Sequence, residues 1–220
     1  MSNQYSIFQE RALSDKEIKS LKLDLAYTTK RIAFQKKFLS GYIAIALIIG
    51  TYSYFKFATV QEHYLLFGCA LVYILIGGWV FVEQYGRLTR KVKSFNFVLQ
   101  DGRVNFLQIN TDSYIELPEN EDEGVHYFFQ LSDNRILAFG GQSFYPTSKF
   151  PSNNFEITFC YGLKNEVVLQ KIYSYGERLK PIKRIKGKKK FALMASDNYP
   201  AEFTIISGQL KNVEDLIRKN

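Results

Sequence analysis

Residues 38–55 read FLSGYIAIALIIGTYSYF, and residues 64–82 read YLLFGCALVYILIGGWVFV. Neither stretch contains an acidic or basic residue, so all 29 Lys and Arg and all 21 Asp and Glu of this 220-residue chain lie elsewhere. At 1.5 Å per residue the stretches form helices about 27 and 28 Å long, close to the roughly 30 Å hydrocarbon thickness of a bilayer. The sequence therefore predicts two membrane-spanning helices.

The alternative interpretation is a pair of core helices in a soluble protein. It is disfavoured because a soluble domain of this size rarely buries two helices that are apolar on every face. Aromatic residues near the ends of the stretches, where the membrane meets water, favour spanning helices; they are Tyr52, Tyr54, Tyr64 and Trp79. The connection at 56–63 is short, so the two spans are expected to form an antiparallel hairpin.

The distribution of basic residues predicts the orientation of this hairpin. Within about 20 residues of the spans, Lys and Arg concentrate on the two outer flanks, and the connection holds only Lys56. The flanking residues are Lys19, Lys22, Lys30, Arg31, Lys36 and Lys37 before the first span, and Arg87, Arg90, Lys91 and Lys93 after the second. Both termini are therefore expected in the cytoplasm, and the net charge of +8 is first of all a sign of topology.

Two other features are consistent with this layout. A cleaved signal peptide is disfavoured because the first apolar run begins only at Phe38, behind a long charged segment. Cys69 lies in the second predicted span and Cys160 in the domain after it, so no disulfide between them is expected.

The segment before the first span is predicted to contain an amphipathic helix. Ser14 and Glu17 have the spacing of a capping box, and Ile18, Leu21 and Leu25 follow at helical spacing. The helix either attaches to anionic lipid at the interface or packs on the protein's own cytoplasmic domain. Residues 1–12 are expected to be loosely structured.

After the second span the sequence changes to the alternation that is typical of strands. A hairpin is predicted at Asp101-Gly102 between 95–100 and 103–107, and a second one at 132–134 between 125–131 and 135–139. Phe155 to Tyr161 alternates like a half-buried strand. Further strands are predicted at 166–173, 179–185, 189–195 and 202–207, and an amphipathic helix at 209–219.

The predicted organisation follows from these elements. It consists of a cytoplasmic segment (1–37), a transmembrane helix (38–55), an external loop (56–63), a second transmembrane helix (64–82), a basic juxtamembrane linker (83–93) and a cytoplasmic domain (94–220). The domain is expected to be a mainly-β bent sheet or small barrel with a C-terminal helix, and its 127 residues can form a core without metal or disulfide.

No catalytic constellation is found in the sequence. The histidines, His63 and His126, are predicted on opposite sides of the membrane, and no nucleophile, Walker or dinucleotide motif occurs. Gly140-Gly141 is interpreted as a bulge or turn. The acidic residues at 116, 119 and 121–123 lack the spacing of a calcium loop, so a solvated loop is favoured over a metal site. No cofactor is predicted.

The strongest signal outside the membrane is a cluster of eight basic residues, which we call the basic cluster. It consists of Arg178, Lys180, Lys183, Arg184, Lys186, Lys188, Lys189 and Lys190. With Lys186-Gly187-Lys188 as a turn, the charges would gather at a hairpin tip. Three interpretations remain open: a solvated loop, a surface for anionic lipid headgroups or an acidic partner, and, less favoured, a nucleic-acid surface.

Two further segments have an unusual composition. The stretch 141–151 contains three aromatic residues and two prolines, and it either covers an end of the core or presents a ligand surface. Within the spans, Ala46 and Gly50 form a small-x-x-x-small pattern, and Gly68, Gly77 and Gly78 lie on the second span, which favours close helix packing within the hairpin or between protomers.

Taken together, the sequence predicts a multi-pass membrane protein that anchors a cytoplasmic binding or regulatory domain. Its partners would be the bilayer, anionic lipid and an unidentified protein. One alternative is an oligomeric membrane effector or channel, and another is an enzyme on a membrane substrate. A transporter is disfavoured because neither span contains an ionisable Asp, Glu, Lys or Arg.

Overall fold

The computed structural model describes residues 8–56, 60–120, 122–131 and 134–218. Within these ranges the chain divides into two compact units. One unit contains residues 12–103 and 160–169, and the other contains the remaining described residues. The first unit is dominated by two long helices and the second by β-strands.

The two long helices are α1 (Asp15–Lys56) and α2 (Val60–Asp101), each of 42 residues. Residues 57–59 of the predicted loop, and the side chains of Lys56 and His63, lie outside what the structure describes. Gln35 faces Gln84 and Tyr42 faces Tyr73, so the helices run antiparallel as a hairpin. Both are long and apolar enough to cross a membrane.

The predicted capping box begins α1. The Ser14 hydroxyl and backbone N–H both donate to the Glu17 carboxylate at 2.8 Å, and Glu17 N–H donates back to the hydroxyl at 3.4 Å. This pairing satisfies backbone donors that a helix N-terminus leaves free. A helix is confirmed at the predicted position, and it continues into the first apolar stretch without a break.

The predicted strand at 95–100 is wrong, because α2 continues through 83–93 and ends only at Asp101. Ser94, Phe95 and Val98 are buried, a spacing of one and three residues that fits a helix face and not a strand. Gly102 has φ +67°, and its N–H donates to Val98 O at 3.0 Å, so the Asp-Gly pair ends a helix instead of turning a hairpin.

The strands and the shorter helices follow α2, except for one strand at the N-terminal end. The strands are β1 (Gln9–Ala12), β2 (Arg103–Asn110), β3 (Tyr114–Leu117), β4 (Val125–Gln130), β5 (Arg135–Gly141), β6 (Asn154–Tyr161), β7 (Val167–Ser174), β8 (Lys183–Arg184) and β9 (Thr204–Ser207). The helices are α3 (Gly187–Met194) and α4 (Val213–Arg218), with 3-10 turns at Gln142–Phe144 and Leu210–Asn212.

Several strand predictions are confirmed and others are corrected. The β4–β5 hairpin, β6, β7, β9 and the C-terminal helix are confirmed, although turn residues Ser132 and Asp133 lie outside the described ranges. The strand predicted at 179–185 is only the two residues of β8, and 189–195 lies mainly in α3. Residues 9–12 form β1 and are not loose, while 1–7 are not described.

The described strands form two sheets, ordered β1-β2-β6-β7 and β8-β3-β4-β5-β9, where the sequence predicted one bent sheet or small barrel. Alternate residues give the second sheet an aromatic face and a mainly aliphatic face, which also contains Phe128. Phe129 and Phe139 on the aromatic face pack on Phe155 of β6, with ring centroids 5.0 and 6.3 Å apart. An apolar face needs a covering layer, and two sheets provide it for each other.

The aliphatic face of the second sheet is covered by the short helices. Ile115, Phe128 and Ile136 pack there with Leu193 of α3 and Ile217 of α4. Unlike the half-buried strand predicted, β6 is buried on both faces.

The segment at 141–151 covers the aromatic core. Phe144 and Phe150 are buried and only Tyr145 of its three aromatics is exposed. The Tyr127 hydroxyl donates to Phe144 O at 2.8 Å, which holds the segment in place. Gly140 and Gly141 belong to β5 and pair in regular register with β4, so they form neither the predicted bulge nor the predicted turn.

Candidate functional site

The basic cluster does not lie at a hairpin tip. Arg178 and Lys180 follow β7, Lys183 and Arg184 form β8, and Lys186 is the N-cap of α3. Gly187 has φ +57° and is the first residue of α3, so the predicted Lys186-Gly187-Lys188 turn is a helix start. The remaining members, Lys188, Lys189 and Lys190, occupy the first turn of that helix.

Four members of the basic cluster are paired with carboxylates. Lys183 and Lys189 both contact Glu214 of α4, with N–O distances of 2.7 and 2.8 Å. Arg184 contacts buried Glu116 of β3 at 3.1 Å. Lys190 contacts Glu123. Half of the predicted surface is therefore used to hold α3, α4 and β8 together.

Lys190 is the member that departs most from a surface role, because its side chain is 0% exposed. Its ammonium donates to the Pro118 backbone oxygen at 2.5 Å and to the carboxylate of Glu123. A buried charge is tolerated only when paired and hydrogen-bonded, and both conditions are met here. Lys190 is a structural cation that fixes the segment between β3 and β4 against α3.

The other four members, Arg178, Lys180, Lys186 and Lys188, are exposed. Within the described residues none of them forms an ion pair. They are the part of the basic cluster that can still meet an anionic surface.

His126 of β4 lies beside the ion pair between Lys190 and Glu123. Its Nδ1 is 3.1 Å from the Tyr199 hydroxyl. Burial and the nearby Lys190 charge lower the pKa of His126, and burial raises the pKa of Tyr199. Both groups are thus neutral at pH 7. Gly140 on β5 has no side chain, and the His126 ring fills that space.

The acidic residues at 116–123 are distributed among structural contacts. Besides the two ion pairs above, Glu119 accepts a hydrogen bond from the Tyr145 hydroxyl at 2.5 Å. Glu121 lies outside the described residues. In the part of the chain that is described, no group of three His, Cys, Asp or Glu side chains is arranged to hold a metal ion.

The helical hairpin is packed around an aromatic pair. Tyr42 of α1 stacks on Tyr73 of α2 with ring centroids 4.3 Å apart, and its hydroxyl donates to the Tyr73 backbone oxygen. Ala46 is buried, and with Gly50 it lines an apolar groove of about 760 Å³ between the helices. A Cβ on Gly50 would meet nothing within 4 Å, whereas one on Gly77 would clash with the Tyr42 side chain.

A second basic feature lies on the hairpin unit, beyond the apolar stretches. Helix α1, helix α2 and the β6–β7 turn enclose a cavity of about 820 Å³, which we call the basic cavity. Its lining includes six cationic side chains: Arg31, Arg87, Arg90, Lys91, Lys93 and Lys164. In the sequence the first five serve only as indicators of topology, and Lys164 belongs to no recognisable pattern.

The signal for part of this cavity was present in the sequence. Gln84, Leu88 and Lys91 recur at helical spacing and share one face once residues 83–93 are recognised as helix. No sequence pattern places Lys164 there, because only the fold brings the β6–β7 turn to α2. Ser94 donates a hydrogen bond to Glu166 of that turn.

No protein-family model, curated protein or solved structure matches the chain. Its function is therefore inferred from the geometry described above.

Proposed function

We propose that this chain is an integral membrane protein whose helical hairpin anchors a β-rich binding or regulatory domain at the inner membrane surface. The observation that carries the proposal is the exposure of the hairpin. Only 6% of the most apolar window of α1 and 0% of that of α2 are buried by protein. Ile48, Leu75 and Trp79 are 68%, 63% and 75% exposed. In water such a surface is strongly unfavourable, and a bilayer would cover it.

The polarity of the hairpin along its length supports the proposed orientation. Each helix is about 63 Å long, roughly twice the hydrocarbon thickness of a bilayer. The apolar halves lie at the connecting end, and the charged halves, 15–37 and 83–101, lie together at the other end, where Leu13 N–H donates to Gly102 O at 2.8 Å. The excess of Lys and Arg at this end favours the cytoplasmic side.

The proposed role of the β-rich domain is to bind an acidic partner or anionic lipid through the exposed members of the basic cluster. Near an anionic surface each contributes about 1 kcal/mol. A fragment that begins at residue 94 would omit β1, which lies next to β2 in the first sheet. The test therefore uses the full chain in membranes.

Topology is tested with a membrane-impermeant maleimide on single-cysteine variants made in a Cys69→Ser, Cys160→Ser background. In right-side-out vesicles Gln61→Cys should be labelled and Lys180→Cys should not. Inverted vesicles should give the reverse result. Extraction of the chain by alkaline carbonate would contradict membrane integration, and labelling of Lys180→Cys from outside would contradict the orientation.

The binding role is tested by crosslinking and affinity capture from membranes that contain the full chain. The triple variant Lys180→Gln, Lys186→Gln, Lys188→Gln should lose a crosslinked acidic partner or lipid, and added salt should weaken the same interaction. Exposed lysines outside the basic cluster, Lys149, Lys171 and Lys211, provide a matched triple variant that should retain the interaction. Equal capture by both triple variants would rule out this role for the basic cluster.

The second candidate function is an oligomeric membrane effector. The observation in its favour is the groove at Ala46 and Gly50, whose small residues, together with Ala70 and Gly78, leave room for a helix of a second hairpin. It predicts ion flux through vesicles reconstituted with the full chain, and vesicles that remain sealed would exclude a channel.

A further inference from the structure

The basic cavity carries a large excess of positive charge. Against its six cationic side chains the described lining contains one carboxylate, Glu166. Arg87 also pairs with Glu83, whereas the other five cations form no ion pair with any residue that the structure describes. Fixed positive charges that converge on one cavity attract an anion, and Arg and Lys suit a phosphate.

The one carboxylate of the lining is already engaged. Glu166 accepts hydrogen bonds from the Ser94 hydroxyl and from Lys164 N–H, the latter at 2.8 Å. The hydrogen bond from Ser94 lowers the pKa of Glu166, so it is ionised and serves to hold the turn. A Cβ on Gly162 would clash with both Glu166 and Ser94, so this glycine permits the approach. The turn thereby places Lys164 at the cavity.

The end of the basic cavity nearest the apolar stretches lies close to the depth of a lipid headgroup. Arg87 lies five residues after the second apolar stretch, which corresponds to about 8 Å along α2. Arg31 lies seven residues before the first apolar stretch, which corresponds to about 10 Å along α1. The polar layer of one leaflet extends about 5–8 Å beyond the hydrocarbon. Long Arg and Lys side chains reach back across the remaining distance.

An apolar cavity adjoins the basic cavity and distinguishes between sources of phosphate. It has a volume of about 380 Å³, and its apolar lining includes Phe38, Leu39, Tyr73, Ile76, Val80 and Phe81. Gln84 lines both cavities, and its side-chain oxygen accepts a hydrogen bond from Gln35 at 2.6 Å. A free phosphate ion has no apolar group that could fill this cavity, whereas a phospholipid can place the start of an acyl chain in it.

We propose that the basic cavity binds the phosphate headgroup of an anionic phospholipid, with the start of an acyl chain in the adjoining apolar cavity. This inference rests on the proposed membrane anchor. It assigns the lipid contact to the hairpin unit and is independent of the basic cluster on the β-rich unit. Basic pockets between membrane helices on the cytoplasmic side are a general solution for holding such headgroups.

The test measures phospholipid binding to the full chain in neutral detergent micelles by native mass spectrometry, with phosphatidylglycerol as the probe. The variant Arg87→Gln, Arg90→Gln, Lys91→Gln should weaken binding about 100-fold, a factor of about five for each cation. The triple variant Lys149→Gln, Lys171→Gln, Lys211→Gln removes the same charge from exposed positions outside both basic features and should change binding less than two-fold. Lys164→Gln alone should weaken binding about five-fold.

Two further probes separate the sources of phosphate. Phosphatidylcholine, which carries a phosphate but no net charge, should bind at least ten-fold more weakly than phosphatidylglycerol. Inorganic phosphate should fail to displace the lipid when the two are present at equal concentration. Displacement at equal concentration would overturn the lipid assignment in favour of a soluble phosphate site.

The outcomes distinguish this inference from the proposed membrane anchor. Undiminished phosphatidylglycerol binding by the hairpin variant, in a chain that resists carbonate extraction, overturns the inference and leaves the anchor intact. Extraction by carbonate removes both. Circular dichroism and the fluorescence of Trp79, the single tryptophan, establish that each variant is folded before its binding is compared.

Discussion

The ring of Tyr42 on α1 occupies the space beside Gly77 of α2 that a Cβ would fill. Two ring carbons and the hydroxyl oxygen lie less than 3.0 Å from where that Cβ would be, closer than real Cβ contacts come. The same ring stacks on Tyr73, and its hydroxyl donates to the Tyr73 backbone oxygen. One aromatic side chain thus sets the separation of the two helices at this level, and it can do so only because residue 77 has no side chain.

Gly77→Ala is therefore expected to destabilise the hairpin by about 1–3 kcal/mol, the usual cost of inserting a methyl group into a packed contact. Gly78→Ala is the matched control, because a Cβ there meets nothing within 4 Å and adds some helix propensity. Unfolding of the full chain in mixed micelles of mild detergent and dodecyl sulfate, followed by Trp79 fluorescence, measures both. Equal stability of the two variants would contradict the role assigned to Tyr42.

A second prediction concerns the buried ion pair of the β-rich unit. Glu123→Ala leaves the Lys190 ammonium without its carboxylate, so the variant should lose about 3–5 kcal/mol of unfolding free energy. Lys190→Met should cost less, because Glu123 is 23% exposed and can be hydrated once its partner is gone. The unfolding free energies of both variants are measured by chemical denaturation of the full chain in micelles, followed by near-ultraviolet circular dichroism of the aromatic core.

The control for this pair is Glu177→Ala, which removes a carboxylate that is exposed to solvent. Its unfolding free energy should stay within about 0.5 kcal/mol of the unmodified chain. If Lys190→Met proved more damaging than Glu123→Ala, the carboxylate would not be what holds the buried ammonium.

The elements that the sequence predicted correctly are those whose signals are local. The Ser14–Glu17 capping box needs only three residues of spacing, and the alternation in β4 and β5 needs only its own strand. The apolar stretches are also contiguous. In each case the residues that define the element are also the residues that stabilise it.

The errors arose where tertiary contacts decide between two local options. Asp101-Gly102 suits a hairpin turn and a helix C-terminus equally, and the buried Phe95 and Val98 favour the helix. In the basic cluster, Lys190 resembles its neighbours in sequence, and only its contact with Glu123, 67 residues away, makes it structural. Lys164 reaches the basic cavity through the fold alone.

A third prediction concerns His126, whose pKa is lowered by burial and by the Lys190 charge. A base with a lowered pKa binds protons more readily when unfolded, so its contribution to stability is complete above about pH 6.5 and is lost as the pH falls towards the folded pKa. The loss approaches at most about 1.4 kcal/mol per pH unit for one site.

His126→Asn should remove this pH dependence, because its amide can occupy the position of Nδ1 beside the Tyr199 hydroxyl without titrating. Denaturation midpoints of the full chain between pH 8 and pH 5 measure the effect. His63→Asn replaces the other histidine and should retain the slope of the unmodified chain. A slope that survives His126→Asn would assign the pH dependence to other groups.

The last prediction concerns Glu214, which forms ion pairs with both Lys183 and Lys189. These pairs join α4 to β8 and α3. Burial alone would raise the pKa of Glu214, but the two ammonium groups outweigh it and hold the pKa below its usual value. The stability from this carboxylate is therefore present above about pH 4.3 and is lost as the pH falls through the folded pKa.

Glu214→Gln should consequently destabilise the β-rich unit at pH 7 by about 1–2 kcal/mol, and by less as the pH approaches 3, where the unmodified side chain is itself protonated. Hydrogen exchange of the α4 amides in the full chain measures the local effect. Asp215→Asn removes the neighbouring carboxylate and should leave exchange nearly unchanged at both pH values.

Glu214 also neutralises two members of the basic cluster, Lys183 and Lys189. Because Glu214→Gln frees both of them, the variant should bind anionic partners more tightly even though it is less stable.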